Sequence, residues 1–190
     1  MEINTRLIIG LGNPGKKYEK TYHNAGFLFI DYLTDSQQPN RPIAKLLKSD
    51  VFMNQSGNFV KTAFKKFSIK SGKIKPEELL IAHDDSDIEL GKYKISFDRS
   101  SAGHKGVESI IKELKTKNFW RLRIGIRETS LPVGLSAKAL ASTKARRAKT
   151  GLPAEARRAK AGEFVLKKFN KKNFEILNKT FEEIMGKNSF

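Results

Sequence analysis

A chain of 190 residues can bury one full apolar core. Hydrophobic residues at 38% and charged residues at 30% exclude a disordered chain, and the lack of cysteine excludes disulfides, thiolate metal sites and a thiol nucleophile. Lys and Arg number 37 against 20 Asp and Glu, and the net charge of +17 favours a polyanionic partner, nucleic acid being the common one.

The first apolar run, residues 6–11, predicts a buried strand closed by a glycine turn. It is too short for a signal or membrane segment, so the expected location is cytoplasmic, with no membrane partner. Phe27, Ile30 and Leu33 stand at helical spacing and predict a helix over 24–33. Residues 35–42 are polar with two prolines and predict a loop. Leu46, Leu47 and residues 51–53 suggest a short strand leading into a turn. Ser56 is the expected N-cap of a helix with the stripe Phe59, Val60, Ala63, Phe64 and Phe67. After a break at 72–76, residues 79–82 predict a second buried strand, ending in His83-Asp84-Asp85. Residues 92–97 alternate as a more exposed strand. A small-residue loop over 99–106 opens a helix over 107–114. Residues 120–126 alternate again, with Trp120, Leu122, Ile124 and Ile126 on one face and Arg121, Arg123 and Gly125 on the other.

Beyond residue 135 the chain turns to alanine and base. Ala145-Arg146-Arg147-Ala148-Lys149 recurs at 156–160, and both copies read as helix, separated at Gly151-Leu152-Pro153. Residues 138–172 hold twelve basic side chains and two acidic ones, so ten of the +17 lie there. Phe164, Val165, Phe169, Phe174, Leu177, Phe181 and Ile184 mark a C-terminal helical region. Strands alternating with helices give an α/β class: a single domain, 1–190, with a mixed, mostly parallel sheet flanked by helices and a basic helical insertion at about 136–162.

Gly10-Leu11-Gly12-Asn13-Pro14-Gly15 has the glycine spacing of a dinucleotide fingerprint. Pro14 removes an N–H where a pyrophosphate needs donors, and the Lys16-Lys17-Tyr18 that follows lacks the small residues that pack a helix on a sheet. The acidic residue at the expected distance, Asp31, falls inside a predicted helix. A nucleotide cofactor is therefore not expected.

His23 lies in a polar turn before a helix. Alone it reads first as a turn or capping histidine and only second as a base titrating near neutrality. Asp84 ends a buried strand, where α/β proteins place their sites. Asp85, Asp87 and Glu89 read as a solvated turn. His83 and His104 with Asp84 and Asp87 invite a metal, but no pair has helical ligand spacing.

GLGNPGKKYEKTYHNAGF at 10–27, FMNQSG at 52–57, HDDSDIELG at 83–91 and SAGHKGVESI at 101–110 occur in this order. Together they resemble the bacterial-type peptidyl-tRNA hydrolase family, from about Leu7 to Gly125 and again weakly over 163–166. The resemblance implies hydrolysis of the ester joining a peptide to its tRNA, by a monomer that needs no metal or cofactor. It places the catalytic base on His23 and its partner on Asp84. Asn13 matches the position linked to telling peptidyl-tRNA from free aminoacyl-tRNA. Asn54 and Phe52 match positions that meet the tRNA end and the reacting group, and Tyr18 a position that contacts tRNA. Lys94 and Arg123 fall where the family is basic and are expected to hold phosphate, on the acceptor stem and 5′ end of the tRNA.

The match breaks at Tyr22, where the family usually has Arg, and at Lys105, where it has Asn. Ser96 replaces a basic residue of many relatives, the stretch between Asn24 and Met53 is short for the family's hairpin, and 136–162 is an insertion. Lys105, ahead of a helix, is expected to meet a phosphate, and 136–162 to grip the tRNA backbone. These departures leave an alternative, a non-catalytic RNA-binding protein on the same scaffold.

Overall fold

The computed structural model describes residues 3–35, 44–128 and 164–190. The loop expected over 35–42 lies almost wholly outside them, and so does the basic stretch 136–162.

Among these residues five strands form one sheet: β1 (Leu7–Gly10), β2 (Lys45–Lys48), β3 (Leu79–Glu89), β4 (Tyr93–Phe97) and β5 (Trp120–Arg127), in the order β2-β1-β3-β5-β4. All neighbours run parallel except β4, an antiparallel edge strand on β5. The mostly parallel sheet expected from the alternation of elements is thus present. Among the described residues four helices cover it: α1 (Ala25–Thr34), α2 (Ser56–Ser71), α3 (Lys105–Leu114) and α4 (Lys171–Lys187). Among the described residues no helix is long and apolar enough to cross a membrane.

Strand residues alternate between two apolar cores, because successive side chains point to opposite faces. Ile8, Leu80 and Leu122 pack with Phe29 and Leu33 of α1 and with Leu177, Phe181 and Ile184 of α4. Leu7, Ile9 and Ile81 pack with Val60 of α2 and with Val107 and Ile110 of α3. Each fully buried Leu, Ile or Phe removes apolar area worth roughly 1.5–3 kcal/mol from water. Two glycines allow close approach. A Cβ on Gly26 would lie 2.3 Å from the Ala82 carbonyl oxygen, so α1 rests directly on β3. A Cβ on Gly57 would lie 2.1 Å from the Ser109 carbonyl oxygen, where α2 crosses α3.

Several local expectations are corrected. Met53–Gln55 is a turn of 3-10 helix rather than the end of a strand. Ser56 is the first residue of α2, not its cap: its hydroxyl points to the Met53 sulfur, and Gln55 precedes the helix without a side-chain cap bond. β3 runs on through Glu89, so the residues read as a solvated turn belong to a strand, paired in part with β5. The C-terminal region turns at 165–168 before α4 begins.

Candidate active site

The chain leaves β1 toward β2 on one side and leaves β3 toward β4 and β5 on the other. The carboxyl ends of these adjacent parallel strands therefore open a crevice at a topological switch point, the usual site position in open α/β sheets. The glycine run after β1 enters no long helix there, only the 3-10 turn Lys16–Tyr18. Asn13 lies in this stretch, held by a reciprocal pair of bonds: its N–H donates to Asn24 Oδ1 at 2.8 Å, and Asn24 Nδ2 donates back to its carbonyl at 3.0 Å. Asn13 Oδ1 accepts from the Met53 N–H at 2.9 Å. That bond fixes which way the amide faces and leaves Nδ2 to donate to a substrate.

His23 sits in the 3-10 turn Tyr22–Asn24 just before α1. Its Nδ1 is 2.8 Å from Asp84 Oδ1. The same oxygen lies 3.0 Å from His104 Nε2. His104 caps α3, its Nδ1 accepting from the Val107 N–H at 3.2 Å, so its proton is on Nε2 and points to Asp84. An ionised Asp84 only accepts, so His23 donates from Nδ1 and keeps the Nε2 lone pair for a proton in transit. Burial disfavours the carboxylate of Asp84, yet the two imidazoles and their hydrogen bonds outweigh it and hold its pKa far below the usual range. Burial likewise disfavours the imidazolium of His23, but the charge and hydrogen bond of Asp84 win and its pKa is raised above 6.5, with Lys105 opposing. His83 is buried with Nδ1 on the Asp84 carbonyl at 2.7 Å and Nε2 unpartnered. Burial first, then the neighbouring His104, push its pKa well below 6.5.

The other predicted residues divide into three groups. Phe52, half exposed, and Tyr18 meet edge to face at 6.2 Å, with the Lys17 ammonium 4.8 Å from the Tyr18 ring centre. Asn54 is exposed on the turn that also carries Met53, and Ser109 Oγ of α3 pins this turn by donating to the Asn54 carbonyl at 2.9 Å. Lys94 and Arg123 are register partners on β4 and β5, and Arg123 also stands opposite His83 on β3. Arg123 Nε donates to Asp85 Oδ2 at 2.6 Å. Lys105 is the exposed first residue of α3, next to His104.

Sequence reasoning missed three participants. His104 was weighed only as a metal ligand, although it stands within the SAGHKG segment. Asn24 follows the candidate base directly. Asp85 is the buried anchor of Arg123, not a solvated residue. His23, Asp84 and His104 do offer ligand atoms within 4.8 Å of one another. In the arrangement seen, those atoms bond to each other: both imidazoles turn a nitrogen to one carboxylate oxygen.

An imidazole oriented by a buried carboxylate on a mostly parallel α/β sheet is an arrangement suited to a hydrolase. The family model for peptidyl-tRNA hydrolase matches residues 7–137. The peptidyl-tRNA hydrolase of Thermodesulfovibrio yellowstonii is 43% identical over 136 residues, covering 63% of this chain and 71% of the relative. That of Aquifex aeolicus is 39% identical over 140 residues, covering 65% and 70%. The crystal structure of peptidyl-tRNA hydrolase from Acinetobacter baumannii superposes with a TM-score of 0.69 at 26% identity, over 98% of this chain and 87% of that one. The chain belongs to the peptidyl-tRNA hydrolase family.

Proposed function

We propose that the chain hydrolyses the ester between peptide and tRNA in peptidyl-tRNA, recycling tRNA from aborted translation, with His23 as the general base. The observation that carries this reading is the bond from His23 Nδ1 to a buried Asp84 that His104 also holds. Nε2 takes a proton from water as the water oxygen bonds to the ester carbonyl carbon. The tetrahedral oxyanion then collapses, the carbon–oxygen bond to the terminal ribose breaks, and the imidazolium returns its proton to the leaving ribose oxygen. Asp84 stabilises the imidazolium between these steps. Asn13, whose Oδ1 is committed to Met53, donates from Nδ2 to a peptide carbonyl that only a blocked substrate presents there. Asn54 positions the reacting group.

The Tyr18–Phe52 pair offers aromatic faces to the terminal bases. Lys94 and Arg123, opposite each other on β4 and β5, hold phosphate of the acceptor stem and 5′ end. Asp85 takes Nε of Arg123 and leaves its terminal amino groups for that partner. Lys105 meets a further phosphate at the start of α3. The basic residues of 136–162 add sequence-independent grip, so deleting that stretch should lessen the salt dependence of tRNA affinity; an unchanged slope opposes this. The protein acts as a monomer in the cytoplasm, without a cofactor.

The test is release of a labelled N-acetyl-aminoacyl group from its tRNA, with EDTA present and unblocked aminoacyl-tRNA as the control. Release from the blocked substrate alone, lost by about three orders of magnitude or more in His23→Ala while tRNA still binds, is expected. Tight binding without release would point to the RNA-binding alternative, and turnover retained in His23→Ala would refute the base assignment.

A further inference from the structure

The turn that carries His23 has no side-chain cap of its own. It is secured instead through the residue before the base, Tyr22, one of the departures from the family pattern. The Tyr22 side chain is 1% exposed. Its ring stacks on Phe164 at 4.8 Å and meets Phe169 edge-on at 4.4 Å. Its hydroxyl donates to the Glu128 carboxylate and accepts from Asn173 Nδ2 at 2.9 Å, and Asn173 also donates to Glu128 at 2.7 Å. The backbone of the turn is held by the same surroundings. The Tyr22 N–H donates to the Lys167 carbonyl at 2.9 Å and the His23 N–H to the Val165 carbonyl at 2.8 Å, while Thr21 bridges Lys168. Two stretches far from Tyr22 in sequence thus converge beside the base: the end of β5, and residues 164–173, which run into the first turn of α4.

We infer that Tyr22, through Glu128 and Asn173, is a positioning residue for the catalytic base, fixing the turn so that His23 Nδ1 stays in register with Asp84. A hydroxyl bonded to a carboxylate holds more firmly than a neutral pair. Burial, then the Glu128 bond, push the Tyr22 phenol up to about 12, so the link keeps its proton throughout the assay range. The reach of such a device is large, because a misplacement of about 1 Å at a reacting group can slow turnover on the order of 100-fold. The groups facing His23 are Asp84 from β3 and His104 and Lys105 from α3; the segment whose backbone bonds its turn carries the exposed Lys167 and Lys168. The Tyr22 hydroxyl is engaged by Glu128 and Asn173, so its link to the imidazole runs through the backbone of the turn.

The inference rests on His23 being the base, and the experiment separates the two. The full chain is assayed for kcat and KM on N-acetyl-aminoacyl-tRNA in Tyr22→Phe, Glu128→Ala, Tyr22→Arg and His23→Ala, and the His23 titration is followed by NMR in the first three. Tyr22→Phe keeps the ring packing and loses the hydroxyl. Its kcat should fall about ten-fold with KM little changed, and the His23 pKa should drop toward that of free imidazole as the Asp84 bond loosens. Glu128→Ala, at an exposed residue, should move both readouts the same way and carries the test if Tyr22→Phe does not fold. Tyr22→Arg should recover most of kcat, since a guanidinium can pair with the same carboxylate, and Tyr22→Arg with Glu128→Ala should not. Unchanged kcat and titration in Tyr22→Phe and Glu128→Ala, with His23→Ala inactive, overturn the role of Tyr22 alone. Wild-type turnover in His23→Ala overturns the base assignment and this inference with it.

Discussion

Asp84 and Asp85 are neighbours on β3, both buried, and their side chains leave on opposite faces of the strand. Asp84 places one oxygen between two imidazoles, at 2.8 and 3.0 Å. Asp85 places one oxygen on the Arg123 Nε at 2.6 Å and turns the other to the Asp87 N–H at 2.8 Å. An imidazole gains and loses a proton near neutral pH, and a guanidinium does not. One carboxylate therefore faces groups that can exchange protons, as the proposed reaction needs, and the other a fixed charge. Adjacent identical residues acquire different work from the face each one occupies.

The sharpest way to break this contrast is to remove each charge in turn. In Asp84→Asn the new amide can donate to His23 Nδ1, which moves the imidazole proton to Nε2 and blocks the base. The expected loss in kcat is on the order of 10²–10⁴-fold, with tRNA affinity nearly kept. In Asp85→Asn the base is untouched and Arg123 loses its charged anchor. There kcat should stay within about two-fold while KM rises by roughly three- to ten-fold, the equivalent of one weakened charge-assisted bond. Equal losses of kcat in the two variants would dissolve the distinction.

Two smaller effects sharpen it through pH. The proposed base works only when neutral, so the rate should climb as pH rises through the raised pKa of His23. Lys105 opposes that rise, so Lys105→Asn should move the acidic limb of the kcat/KM profile to higher pH; a limb that stays in place would detach Lys105 from the base. His83, behind Asp84 in the same strand, bears on stability instead. Its folded pKa lies well below 6.5, while the unfolded chain takes up a proton near that value. The stability this provides is present above about pH 6.5 and is lost as the pH falls, by up to about 1.4 kcal/mol per pH unit while His83 stays neutral in the fold. Urea midpoints measured from pH 7 to 5 should decline less steeply in His83→Asn than in the parent, and parallel declines would rule His83 out as the source. Asp84, with its depressed pKa, adds its own loss only as the pH falls below the ordinary carboxylate range.

Elements whose partners are local were readable from the chain alone. The run over 6–11, the spacing of Phe27, Ile30 and Leu33, and the alternation from Trp120 to Ile126 each state their own burial, because a period of two or near 3.6 is a property of neighbours in sequence. The motif segments likewise carried His23, Asp84, Asn13 and Asn54 into the candidate site. Other features needed the folded chain. Ser56 looks like a cap from its neighbours, but the 3-10 turn ahead of it starts the helix differently. Asp85 looks solvated until β5 lays Arg123 beside it, 38 residues away. His104 looks like a stray ligand until α3 turns its Nε2 to Asp84, 20 residues back. Tyr22 meets Asn173 across 151 residues. The sequence by itself determined which residues can be buried and which can exchange protons, since both are set by side-chain chemistry and short-range spacing. Only the tertiary structure decided which carboxylate faces which cation, because the energy of a buried charge depends on a partner brought to hydrogen-bond distance by the packing of distant elements.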